Sequence, residues 1–117
     1  MKVNNVEYAG QHNTGLTFTF DAGAVKGDAV TQTAAGAAGR GAADAPLLGK
    51  LVTSETDGKG TVFTRGVIVV PWTGAAVFGL QKVGVDSTGK AKVSVGGKEV
   101  QVLAVDATAG LAAIDLG

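Results

Sequence analysis

Two runs rich in β-branched and apolar residues flank Asp57-Gly58 in the stretch LGKLVTSETDGKGTVFTRGVIVVPW, which begins at Leu48, and no other part of the chain constrains the fold as much. Asp-Gly readily takes the positive φ values of a tight hairpin turn, so the stretch reads as strand, turn, strand. A two-residue loop sets Val52 opposite Phe63, though it also sets Lys50 against Arg65. The run Val67, Ile68, Val69, Val70 is apolar at every position, the pattern of a strand covered on both faces. Pro71 closes it where a ladder donor would be lost.

The same punctuation recurs along the chain. Residues 16–20 alternate apolar side chains with Thr as a short strand that Asp21 to Gly23 end, and a tight turn or strand pair is expected around Gly27-Asp28. Residues 34–45, AAGAAGRGAADA, are low in complexity; Ala favours helix, but Gly36, Gly39 and Gly41 oppose it, which predicts a flexible surface loop. Near the end, residues 91–95 alternate, Gly96-Gly97 suits a primed turn, and residues 98–105 return. That register sets Val93 opposite Val100 and Ala91 opposite Val102, with Ser94 meeting Glu99 and Lys92 meeting Gln101 on a polar face. Residues 107–110 turn into a final strand over residues 111–116. Short strands, glycine turns and no convincing helix predict an all-β fold, a small barrel or sandwich. Residues 1–13, with Val3, Val6 and Tyr8 scattered among polar residues, read as an extended N-terminal arm, and residues 14–117 as a single β-rich domain.

Composition narrows the function. At 117 residues one domain is the simplest organisation. Ten basic and ten acidic residues cancel, so the chain lacks the basic footprint of a nucleic-acid binder, and the low net charge permits self-association or docking on a large surface. The absence of cysteine removes disulfides, thiolate metal sites and a thiol nucleophile. The opening MKVNNVEYAG has no apolar core of a signal peptide and no run reaches membrane-spanning length, so a soluble cytoplasmic product is expected.

The candidate chemistry is sparse. Residues 84–90 fit G-x-x-x-x-G-K, but Ala91 stands where a phosphate loop needs Ser or Thr, and a strand pattern follows where it needs a helix; a hairpin turn explains the segment better. His12 is the only histidine, which excludes a His-pair metal site, and no partner for a catalytic relay is apparent in sequence. Asp21, Asp28, Asp44, Asp57, Asp86 and Asp106 sit in expected turns, where Asp bonds its own backbone. No calcium-loop pattern occurs, and no cofactor is expected. Phe18, Phe20 and Phe63 lie in strand patterns and are expected in the core. For Trp72 after a proline and Phe78 in TGAAVFG, internal packing and partner contact are both open; as loop or rim residues they would be contact anchors.

A Gly/Ala-rich lead with VKGDAV, then LGKLV, TVFTRGVIVVPW and the closing VQVLAVDATAGLAAIDLG resembles, from about Asp21 to Gly117, the capsid decoration or cement proteins of tailed bacteriophages. The resemblance implies a small barrel or tulip-like β fold and no enzymatic activity. It implies a protein that binds the exterior of an assembled shell and braces its capsomer junctions, with the major capsid protein as partner and a homo-oligomer, dimer or trimer, as the working form. Val3, Val6 and Tyr8 would then be docking anchors of the arm, joined by Trp72 and Phe78; the alternative for the arm is a frayed terminus. A small carbohydrate- or ligand-binding β module is the alternative from another class, and an enzyme built on scattered carboxylates is the third.

Overall fold

The computed structural model describes residues 2–3, 6–7, 14–21, 23–55 and 57–117, which form twelve β-strands and no helix. β1 (Lys2–Val3) and β2 (Val6–Glu7) pair antiparallel. β3 (Thr14–Phe20), β4 (Ala29–Ala34), β5 (Ala37–Gly39), β6 (Gly49–Leu51) and β7 (Lys59–Arg65) close a barrel in the order β3-β5-β4-β6-β7. β8 (Val67–Pro71), β9 (Gly79–Val85), β10 (Ala91–Val93), β11 (Lys98–Asp106) and β12 (Leu111–Asp115) form a second sheet in the order β10-β9-β11-β12-β8. The all-β barrel expected from the turn spacing is present. Its one parallel pairing among the described strands is β3 with β5.

Gly66 divides the run from Lys59 to Pro71 between the two sheets. Its φ of +88° is open to glycine and costly for a side chain, so the chain bends there: β7 stays in the barrel and β8 joins the second sheet. The Asp57-Gly58 hairpin exists, but its loop is longer than two residues. Glu55 N–H donates to Lys59 O at 2.7 Å and Gly58 N–H to Glu55 O at 3.1 Å, with Gly58 at φ +83°. A loop of this length places Lys50 opposite Phe63 and Leu51 opposite Val62, instead of Val52 opposite Phe63. Lys50 no longer faces Arg65, which removes the like-charge opposition of the shorter loop.

Residues 34–45 are not a simple loop. Gly36, at φ +69°, turns the chain from β4 into β5, and Ala38 is fully buried. Small side chains are what the site demands: a Cβ at Gly39 would lie 2.7 Å from the Asp21 carboxylate. The Ala/Gly composition that suggests flexibility instead lets β5 fit between β3 and β4.

The largest departure from the local reading lies at Gly96-Gly97. β10 and β11 do not pair with each other; β9 runs between them, antiparallel to both. Val93 and Lys98 both register with Val83, so the connecting residues 94–97 step across β9. Two glycines make the crossing possible. A Cβ on Gly97 would lie 2.5–2.6 Å from the backbone N, C and O of Val83, and one on Gly84 would lie 2.8 Å from the Ser94 hydroxyl. Val100 is buried as its alternation predicts, but it registers with Gln81, and Val93 is 44% exposed.

Both sheets contribute to the main core. Ile68, Val70, Val83, Val100, Val102 and Ile114 from the second sheet cluster with Ala29 and Leu47 from the barrel side. Val30, Leu51 and Val62 fill the barrel, with Phe18 and Phe20 partly buried against them. Val69, on the opposite face of β8 from Ile68 and Val70, packs with Ala113, so β8 is covered on both faces as its unbroken apolar run requires. A β-bulge between Val102 and Ala104 resets the alternation of β11 and keeps Val105 in the core.

Candidate binding surfaces

The segment joining β8 to β9 carries the most distinctive surface. It is tied down at its start: Trp72 N–H donates to Gly110 O at 2.8 Å, Thr73 N–H to Ala91 O at 3.0 Å, and the indole Nε1–H to Ala75 O at 3.1 Å. Trp72 is 6% exposed and belongs to the main core. The reading of Trp72 as an exposed rim anchor is therefore corrected: the bridge between Trp72 and Ala91 carries the indole inward, where its one donor finds a carbonyl. As Trp72 is the sole tryptophan, native fluorescence should be blue-shifted and poorly quenched by acrylamide, and Trp72→Phe should lower the melting temperature. Emission at the wavelength of free indole would contradict this placement.

Phe78 takes the opposite position, 82% exposed. It borders a shallow groove of about 340 Å³ together with Ala76, Val77, Leu103, Ala104 and Val105. Leu80, 63% exposed, and Leu103 extend the apolar surface over β9 and β11. These two leucines were not singled out in the sequence. The signal was present, since Leu80 precedes Gln81 and Lys82 in GLQKVGV and Leu103 falls on the same phase as Glu99 and Gln101, a face otherwise read as polar.

The remaining anchors proposed for a partner are Val3, Val6 and Tyr8. Val3 and Val6 register with each other in the β1–β2 ribbon, and β1 runs beside β11 and β12. Tyr8 and His12 lie outside the described residues.

A second recess of about 550 Å³ lies between the segment after Trp72 and β10, lined by Trp72, Val77 and Val93 with Asp86 and Lys92. Asp86 organises the β9–β10 turn: its Oδ1 accepts from Thr88 N–H and hydroxyl, both at 2.8 Å, and from Lys90 N–H at 3.2 Å. Burial opposes the charge of Asp86, but these donors outweigh it and hold the carboxyl below its usual range. The G-x-x-x-x-G-K pattern is thus a hairpin turn. Asp44, at φ +71°, accepts from Ser94 Oγ at 2.9 Å and pairs with Lys92 Nζ at 3.0 Å, and Lys92 first, then Ser94, lowers its pKa. Asp28, with an 8% exposed side chain, pairs with Arg40 at 2.8 Å and also accepts from Val25 N–H. The carboxylates therefore stitch turns, and two of them join segments distant in sequence. Among the described residues no group of three or more His, Cys, Asp or Glu side chains is placed to hold a metal ion.

Comparison of the chain with known protein families and with curated proteins finds no match.

Proposed function

We propose that this chain is a structural virion protein that docks on the outer surface of an assembled phage capsid and stabilises it. The observation that carries this reading is the exposed apolar surface of Phe78, Leu80 and Leu103 on the face of a well-packed sheet. Burying such side chains against a partner is favourable by roughly 1.5–3 kcal/mol each, and exposed patches of this kind mark interaction surfaces. Lys82 and Glu99, exposed and in register on the same two strands, give the patch a polar border of mixed sign, which suits a partner of mixed charge better than a polyanion. The resemblance of the order of segments to decoration proteins supplies the proposed partner class, the major capsid protein, and a place on the exterior of the virion. A homo-oligomer would multiply weak single contacts through avidity. The carbohydrate-binding alternative has less to build on, because a sugar platform uses exposed Trp or Tyr and the sole Trp is buried.

The test is sedimentation with expanded shells, and separately with unassembled subunits, of the major capsid protein encoded in the same genome. The protein should pellet with shells and ignore subunits, and Phe78→Asp should weaken shell binding about 30-fold, as for loss of a central anchor of about 2 kcal/mol. Equal binding to both forms, or to neither, contradicts the proposal.

A further inference from the structure

We infer that the recess beside β10 is a strand-addition site, which accepts an extended segment of a partner polypeptide with an aliphatic side chain over Trp72 and a lysine or arginine next to Asp86. The inference is independent of the capsid reading. Three observations converge on it.

The first is an open sheet edge. Residues 90 and 94 bond to β9, through Asp86 N–H to Lys90 O and Ser94 N–H to Lys82 O, both at 2.9 Å. The period of two then turns the N–H and C=O of Ala91 and Val93 away from β9. Thr73 N–H occupies the Ala91 carbonyl, but beyond that point the chain swings off through Gly74, at φ +101°. Among the described residues none bonds to the backbone of Val93. An unpaired donor and acceptor on an edge strand are complementary to one thing above all, another extended backbone.

The second is the recess that begins where the pairing stops. Its volume of about 550 Å³ lies within the roughly 300–1,000 Å³ usual for binding sites, and Trp72, Val77 and Val93 give it an apolar lining. The indole bond to Ala75 O holds its wall in place without a ligand, so little ordering is required on binding.

The third is charge. Of the two charged side chains lining the recess, Lys92 is paired with Asp44, whereas Asp86 makes no ion pair within 4 Å among the described residues, interacts through space with Lys90 and Arg40, and uses only one carboxylate oxygen in the turn. The second Asp86 oxygen, which takes no part in the turn's hydrogen bonds, suits a basic residue in the incoming strand.

The probe is a short capped peptide alternating valine and threonine with one central lysine, titrated into ¹⁵N-labelled protein and followed by amide shifts. Saturable shifts are expected at the Val93 amide, the residue 73–77 amides and the Trp72 indole N–H. Methylating the peptide nitrogen that faces Val93 should weaken binding about tenfold, the worth of one ladder bond. Replacing its lysine by glutamate, or Asp86 by asparagine, should weaken it several-fold. Shifts that are absent, scattered over the surface, or indifferent to N-methylation overturn the inference. Shifts at Val93 that depend on protein concentration without peptide would assign the edge to a second copy of the chain, and would also overturn it.

Discussion

Gly97→Ala is expected to destabilise the protein by about 3 kcal/mol or more, lowering the melting temperature by about 10 °C or preventing soluble expression, while Gly96→Ala next to it leaves stability unchanged or slightly raised. The reason is steric. A methyl group at Gly97 meets the N, C and O atoms of Val83, and backbone in the middle of a three-strand pairing cannot retreat as a side-chain tip can. At Gly96 the nearest atom is Asp44 O, 3.9 Å away, and the residue is not among those with positive φ, so Ala fits there and restricts the unfolded chain. Thermal melts of the two variants check this. A two-residue turn would need positive φ at Gly96, alone in type II′ and together with Gly97 in type I′, so a loss at Gly96 equal to or larger than that at Gly97 would contradict the crossing of β9.

Val100→Asp is expected to cost at least about 3 kcal/mol, whereas Gln101→Asp and Val93→Asp should each cost no more than about 1 kcal/mol. Val100 is 3% exposed within the main core, among buried hydrophobic side chains. Gln101 is exposed and registers with Asp115, so its replacement adds only a screened like-charge contact. Val93 is the decisive member of the set. If β10 and β11 paired directly, Val93 would share the buried face with Val100 and its replacement would be equally severe. With β9 between them it lies on an edge, and urea denaturation of the three variants separates the two topologies.

These variants also mark where the sequence was legible. Alternation within 98–105 identified Val100 and Val102 as buried, because period two is a property of the strand itself. Which strand covers them is not local: β9 enters between β10 and β11 from earlier in the chain, and no pattern within residues 91–105 records it. The unbroken apolar run in β8 correctly signalled cover on both faces, while nothing in the sequence singled out Gly66 as the point where the chain leaves the barrel. The Ala/Gly run at residues 34–45 misled for a related reason, since small residues mark both slack loops and close-packed strands. Of the candidate contact residues, Phe78 is exposed, as partner contact needs, and Trp72 is not. Both lie in the segment that joins β8 to β9, and the pairing of Trp72 beside Ala91, which is not local in sequence, separates them.

Hydrogen–deuterium exchange on the shell-bound protein tests the docking surface most directly. The account predicts slowed exchange in residues 76–82 and 99–105, the segments that carry Phe78, Leu80 and Leu103, with the barrel unchanged. Protection confined to the barrel, or none anywhere on addition of shells, would contradict it.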